Sequence, residues 1–435
     1  MKKIALLNFG CSKNLIDSEL MLGQLAKAGY KISLDESDAD IIIINTCAFI
    51  NDAEKESVRA ILETAQTDKK IIVTGCLSQK YKKELKKEIP EISAMLGTSD
   101  YSKIVETVKA LEKEDFVYNI CENPNYLYPE TAKRQQITMG ASSYIKIAEG
   151  CNCECGYCII PKLRGKYVSR PIENIVEEAK DMVKKGVNEI ILIAQDTTTY
   201  GIDIYKKPSL PKLLKELEKI KDLKWIRIMY AYPTSFDDAL IEVMKNSKKI
   251  VKYIDIPLQH SHQEVLKRMK RPVMDYSKLI KKLRKEIPEI AIRTTFIVGY
   301  PQETEEEFNH LYNFVKDIKF DRLGVFEFSK EKGTYAYNLK GQIPSRVKKS
   351  RKNKIMKLQN KISKELNKKC VGKTFECIVE AVTDDEVAVL RSYKDAPEID
   401  GLVYAKYEDT PVPGELVPVK ITAFYDYDLY GEILT

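Results

Sequence analysis

Only three histidines occur in this 435-residue chain, at positions 260, 262 and 310. Imidazole-based catalysis therefore has little material, and no Ser–His–Asp arrangement is apparent. His260 reads equally well as a structural histidine at a strand end. The chain also lacks an apolar run long enough to span a bilayer. The run Ile4 to Leu7 comes nearest to a signal-peptide core, but Asn8 ends it well short of the usual length. It reads as a first β-strand, and the protein is expected in the cytoplasm without membrane contact. No cysteine lies between 159 and 369, so a zinc site at the cysteine-rich segment 151–158 finds no second ligand pair there. Gly372-Lys373-Thr374 imitates the end of a P-loop. Asn367 stands where its first glycine belongs, and a strand pattern follows instead of a helix.

What the chain does have is cysteine. Ten in a long chain without secretion signals argue for metal or redox chemistry rather than disulfides. Four fall between 151 and 158, and three stand alone at 11, 47 and 76. Charge is divided as well. Residues 370–435 carry fourteen acidic and five basic side chains, a net of −9, which leaves 66 basic and 50 acidic on the rest, a net of +16. Such a division suggests that different parts of the chain face different partners.

The apolar runs Lys3–Phe9, Asp40–Asn45 and Lys70–Thr74 read as buried parallel strands, with helices over 17–28, 52–66 and 79–88. This predicts a doubly wound α/β domain over 1–122. The polar stretch 121–140, with Pro124 and Pro129, reads as a linker. Six strand candidates follow: Ser143–Ala148, Glu189–Ala194, Trp225–Tyr230, Tyr253–Leu258, Ile290–Val298 and Arg322–Ser329. Amphipathic patterns at 171–185, 208–221, 235–247, 275–287 and 303–318 separate them, which predicts an open, partial (β/α)6 TIM-like barrel within 138–369. Its last segment, 344–369, is a basic helix with Glu365 as its one acid, read with even weight as a solvated face or an RNA or ribosome contact. Alternating Val, Thr, Tyr and Glu with turn residues predict a small acidic β-barrel over 370–435.

Cys151, Cys155 and Cys158 follow a strand with the spacing Cys-x3-Cys-x2-Cys. Three thiolates on one short loop can wrap a cubane cluster and leave one iron open, where four would close it. A Cys155–Cys158 redox pair would leave Cys151 unexplained. Cys153 permits other ligand choices and is taken as a bystander. Cys11, Cys47 and Cys76 each follow a predicted strand of the first domain, at the sheet edge where doubly wound folds bind ligands. One such cysteine could be plain packing. Three in equivalent positions point to a second cluster with an open iron.

The loop and partial barrel resemble the radical-SAM superfamily, and Phe296-Ile-Val-Gly299-Tyr-Pro301 is similar to its glycine-containing adenine strand. The resemblance implies that the open iron binds the amino and carboxylate groups of S-adenosylmethionine, which is cleaved to a 5′-deoxyadenosyl radical. Asn8-Phe-Gly-Cys11-Ser-Lys-Asn14, Asn45-Thr-Cys47-Ala-Phe-Ile50 and Val73-Thr-Gly-Cys76-Leu77 resemble the first domain of the methylthiotransferase family, and the acidic end resembles its TRAM domain. This implies two [4Fe-4S] clusters: one on Cys151, Cys155 and Cys158 that makes the radical, and one on Cys11, Cys47 and Cys76 that holds sulfur. S-adenosylmethionine contacts are implied for Tyr157, Gln195, Asp196, Gln259, Arg293, Thr295 and Gly299, and no catalytic residue beyond the cluster ligands.

Two branches of the family compete, one acting on tRNA adenosines and one on an aspartate β-carbon of the twelfth small-subunit ribosomal protein. Ile160–Tyr167, Ala194–Gly201, Asp255–His260, Ser392–Gly401 and Tyr427–Glu432 are similar to the ribosomal-protein branch. His262 departs from it, standing where a serine is expected. An acidic last module suits a basic ribosomal protein and opposes RNA phosphates. The resemblance further implies a reductant protein such as flavodoxin or ferredoxin. A non-enzymatic iron–sulfur or zinc RNA-binding module is the remaining alternative.

Overall fold

A computed structural model of the chain describes residues 2–125, 134–137 and 140–434. The first unit is a six-stranded, fully parallel sheet in the order Lys31–Ile32, Lys3–Asn8, Ile41–Thr46, Lys70–Gly75, Ile92–Leu96, Val117–Asn119. Sequence patterning finds three of these strands and misses the other three. Lys31–Ile32 is too short to show a period, and Val117–Asn119 is a three-residue edge. The strands that precede Cys11, Cys47 and Cys76 are immediate neighbours, Lys3–Asn8, Ile41–Thr46 and Lys70–Gly75. Ile41–Thr46 lies between them and is buried throughout, as a β-branched run in the middle of a parallel sheet should be. The order reverses between Lys3–Asn8 and Ile41–Thr46, a switch point of the kind that opens a ligand crevice at the strands' carboxyl ends.

The helix expected over 79–88 is two helices, Cys76–Tyr81 and Lys83–Glu88. Lys82, at φ +50°, breaks the run. Of the linker expected over 121–140, residues 126–133 and 138–139, Pro129 included, lie outside the described residues. Arg134 is anything but loose: its side chain is buried and pairs with Glu19 at 3.1 Å and Glu178 at 3.0 Å.

The central unit holds the six expected strands in sequential, parallel order: Ser142–Lys146, Glu189–Ile193, Trp225–Ile228, Ile250–Asp255, Ala291–Val298 and Arg322–Glu327. The sheet is open, so it forms part of a barrel. Ile16 and Leu20, from the first unit's helix Ser12–Lys27, pack with Ile191, Ile193 and Trp225 of this sheet, and that helix lies against the edge strand Ser142–Lys146. The basic helix Ser345–Lys368 is not solvated all round. It buries Arg351, Ile355, Gln359, Ile362 and Ser363 as a stripe against the strand Arg322–Glu327, leaving lysines on its other side.

Residues from Thr374 onward form a closed five-stranded barrel, whose first strand, Thr374–Val382, begins where a P-loop would need a helix. It docks on the strand starts of the central sheet. Arg391 pairs with Glu189, the first residue of its strand, and Glu189 also takes Arg227 Nε at 2.7 Å. Asp395 pairs with Arg322, and Asp400 accepts from Tyr253 Oη at 2.7 Å. The acidic module thus seals one end of the partial barrel and leaves the carboxyl ends of the strands to the cysteine loops. No helix among the described residues is long and apolar enough to cross a membrane.

Candidate active site

The segment after strand Ser142–Lys146 is shaped by a two-residue antiparallel ladder between Ala148–Glu149 and Val168–Ser169. Gly150 stands at φ +75°, and a Cβ there would lie 2.1 Å from the Lys166 carbonyl oxygen. Only glycine can hand the chain over to Cys151 in so close a turn. Cys151 N–H donates to Gly165 O at 3.1 Å, and Cys158 N–H to Cys155 O at 3.0 Å. Two distant segments clasp the loop: Gly156 N–H donates to Met269 O at 2.7 Å, and Gly156 O accepts from Ala336 N–H at 2.8 Å. The backbone N–H of Cys153 donates to Cys151 Sγ at 3.4 Å, and Cys153 is half-buried.

Arg271 is a site residue that the sequence reading misses. Its guanidinium is buried, donates to Pro257 O at 2.7 Å, lies 3.9 Å from Cys155 Sγ and stacks 4.3 Å from the centre of the Tyr232 ring. Tyr157 is half-buried beside it, its phenol pushed up by desolvation and eased by Arg271. A lone Arg-Pro dipeptide carries no signal of such a role. Only the fold carries it beside the thiols.

In the first unit, Cys11, Cys47 and Cys76 stand at the ends of three adjacent strands. Cys47 and Cys76 directly follow theirs, and Cys11 begins the next helix as its cap. Gly10 and Gly75 take φ +126° and +93°, so both flanking cysteines, like Cys151, follow a glycine that only glycine geometry allows. At Gly10 a Cβ would come 3.2 Å from Cys47 Cβ, and at Gly75 it would come 2.4 Å from Asn45 Oδ1. Side chains fix the crevice. Asn14 Nδ2 donates to Thr46 O at 2.9 Å, Asn45 Nδ2 donates to Asn14 O at 2.8 Å, and Cys47 N–H donates to Ser57 Oγ at 3.0 Å. Burial pushes the Cys76 thiol up to about 12 and raises Cys47 as well, while Arg164 pulls both down.

Between the trios lies a buried charge network. Arg164, on the short helix Ile160–Arg164 after Cys158, donates to Asp17 at 3.1 Å, Glu149 at 3.1 Å and Asn14 at 2.9 Å. Lys146 reaches the same two carboxylates at 2.5 Å. Burial would raise the Glu149 carboxyl, but Arg164 and Lys146 hold it at about 2, so it is an anion two residues before Cys151.

The other expected contacts are variously placed. Gln195 Nε2 donates to Glu149 at 2.8 Å, and its Oε1 is buried without a partner. Asp196 is occupied with its own turn, accepting from Thr198 N–H and Oγ1 at 3.0 and 2.7 Å. Gln259 takes φ +70° and bonds through its backbone to Thr295 O at 2.8 Å. Arg293 is turned to the other end of its strand, at 3.0 Å from Asp255 and 3.4 Å from Asp400 of the last module, and its Nη1 reaches Thr295 Oγ1 at 3.3 Å. Gly299, at φ +72°, donates to Glu303 at 2.6 Å. His260 is buried, and desolvation holds its imidazole neutral.

The donor set suits the groups that the family resemblance implies. Each site offers three thiols, soft ligands of the kind iron–sulfur clusters take. Among the described residues no three donors converge on the point of a single ion. Gln195 Oε1 and Arg271 Nε, buried beside the loop without partners, are polar atoms suited to an amino-acid moiety.

Three family models match the chain: uncharacterized protein family UPF0004 over residues 3–97, the radical SAM superfamily over 145–315 and the TRAM domain over 371–434. The ribosomal protein uS12 methylthiotransferase RimO of Thermoanaerobacter sp. (strain X514) is 51% identical, covering 99% of this chain and 100% of the relative. Its counterpart from Desulforamulus reducens is 49% identical over all of both chains. Among solved structures, the radical S-adenosylmethionine methyltransferase TsrM from Kitasatospora setae, with cobalamin and a [4Fe-4S] cluster bound, aligns with TM-score 0.56 at 12% identity, over 89% of this chain and 80% of that one. The cobalamin-dependent radical enzyme OxsB aligns with TM-score 0.50 at 13% identity, over 82% and 56%. Both likenesses concern the fold.

Proposed function

The chain belongs to the ribosomal protein uS12 methylthiotransferase family, and we propose on that premise that it places a methylthio group on an aspartate β-carbon of uS12. It is a radical-SAM enzyme, and its cofactors are S-adenosylmethionine and two [4Fe-4S] clusters. The observation that carries the substrate reading is the likeness to uS12 enzymes over the entire chain. It disfavours a tRNA substrate and a non-enzymatic module alike.

Cys151, Cys155 and Cys158 would hold the radical-generating cluster, and Cys11, Cys47 and Cys76 the sulfur-donating one. When bound, these groups supply the electron, the hydrogen-abstracting radical, the sulfur and the methyl that a β-methylene beside a carboxylate requires, since no side-chain base is strong enough to deprotonate it. The protein's share is placement. Gly10, Gly75 and Gly150 bend the loops inward, and Arg271 supplies positive charge against Cys155. Tyr157 and the unpartnered Gln195 Oε1 line the approach for S-adenosylmethionine, with Gln259, Thr295 and Gly299 farther along; Asp196 shapes the turn, and Arg293 secures the last module. The network of Arg164, Lys146, Asp17 and Glu149 fixes the first unit against the barrel. A small reductant protein, flavodoxin or ferredoxin in kind, would deliver electrons, and a ribosomal substrate assigns the reaction to the cytoplasm.

The test is iron content with reaction readout. Wild-type protein reconstituted without oxygen should carry roughly eight irons per chain, and either triple alanine variant roughly four. C151A/C155A/C158A should lose cleavage of S-adenosylmethionine. C11A/C47A/C76A should keep it and lose methylthiolation of uS12. Tightly bound zinc in wild-type protein, or modified tRNA in place of modified uS12, would overturn the reading.

A further inference from the structure

A cavity of about 1280 Å³ opens between the first unit and the barrel, behind both cysteine loops. One wall is the helix pair Cys76–Tyr81 and Lys83–Glu88, and another is the helix Ile160–Arg164 that follows Cys158. Six lysines line it against two glutamates. Lys80 is neutralised by Glu54 and Glu331, and Lys82 by Glu122. Lys83, Lys162, Lys166 and Lys332 are exposed and have no carboxylate partner among the described residues. Four exposed ammonium groups without a carboxylate partner among the described residues repel each other around one groove, which makes the groove favourable to an anion. Aromatic faces lie among them: Tyr81 and Tyr118 line the same wall, with Lys83 over the Tyr118 ring at 5.5 Å. Lysines interleaved with aromatic rings in an open groove suit a single-stranded or looped nucleic-acid backbone.

We propose that this groove binds ribosomal RNA, so that the enzyme takes uS12 together with the RNA it sits on; the inference rests on the uS12 reading above. The division of charge supports it. A basic ribosomal protein is attracted to the acidic module and repelled by a lysine groove, whereas RNA phosphates behave in the opposite way. A net of +16 over most of the chain and −9 at its end therefore matches the two components of a ribonucleoprotein.

Anisotropy with a fluorescein-labelled RNA hairpin, on full-length reconstituted protein, tests the groove directly. In K83A/K162A/K166A/K332A the affinity should fall about tenfold or more in moderate salt. The slope of log K against log salt should shrink by roughly three, since each phosphate neutralised contributes ~0.7–0.9. All four side chains are exposed, so iron content and melting temperature should match wild type. Methylthiolation of free uS12 should be unchanged, and that of uS12 in small ribosomal subunits reduced. Unaltered RNA affinity and slope in the variant, or no RNA binding by wild type, would overturn the inference. Wild type that binds RNA through the groove yet methylthiolates neither form of uS12 would leave the groove standing and overturn the substrate reading.

Discussion

Arg164 and Asp17, 147 residues apart, meet through both Nη atoms of the guanidinium at 3.1 Å from one carboxylate oxygen, and both side chains are buried. One sits six residues after Cys158, the other six after Cys11. Through this pair the two cysteine loops share one rigid junction, completed by Lys146 and Glu149.

Removing one member of a buried pair strands the other without its partner, at a cost of about 3–5 kcal/mol. Asp17→Ala should therefore lower the denaturation midpoint strongly. Arg164→Lys keeps the charge and loses the fork that joins Asp17, Glu149 and Asn14. It should retain roughly eight irons and cleavage of S-adenosylmethionine while methylthio product falls per cleavage event. Equal loss of both outputs would show that Arg164 serves stability alone.

Glu189 predicts the pH response of the last module's docking. Burial alone would raise its carboxyl, but Arg227 and Arg391 hold it at about 2, against an ordinary value of 4.5. A depressed carboxyl stabilises the folded state above its unfolded value, and that contribution fades as pH falls from about 5 towards 2. Glu189→Gln should cost about 3 kcal/mol near neutrality, with the gap to wild type closing below pH 4 in urea melts. A gap that stays constant with pH would refute the assignment.

Gly75→Ala and Gly29→Ala separate strain from contact. Both glycines sit at φ +93°, but a Cβ at Gly29 meets nothing within 4 Å, whereas at Gly75 it comes 2.4 Å from Asn45 Oδ1 and 2.6 Å from Thr46 O. Gly29→Ala should cost about 1–2 kcal/mol and leave the iron content alone. Gly75→Ala must displace the start of the Cys76 helix, and roughly half the iron should be lost after reconstitution. Equal behaviour of the two variants would contradict this.

Cys153 lies within the same loop as Cys151, Cys155 and Cys158, with its N–H 3.4 Å from Cys151 Sγ. As a bystander it is dispensable. Cys153→Ser should keep the iron content and the cleavage of S-adenosylmethionine within about twofold of wild type. Loss of about four irons per chain would make it a ligand.

The sequence by itself determined the six strands of the central sheet, because long β-branched runs alternating with amphipathic helices admit little else. It also determined the two cysteine trios, since the spacing at 151–158 and the strand-end positions at 11, 47 and 76 are local facts. It read 79–88 as one helix because nothing in the composition announces that Lys82 turns to φ +50°. Tertiary structure alone decided that the three cysteine-bearing strands are neighbours, with Lys31–Ile32 displaced to the edge. It decided that Arg271 stands beside Cys155, and that Arg293 serves Asp400 instead of lining the cysteine end of the barrel. It also gathered lysines from three distant segments around one groove. The physical reason is common to these cases. A buried or clustered charge is defined by its partners, and partners more than a hundred residues away leave no mark on local periodicity.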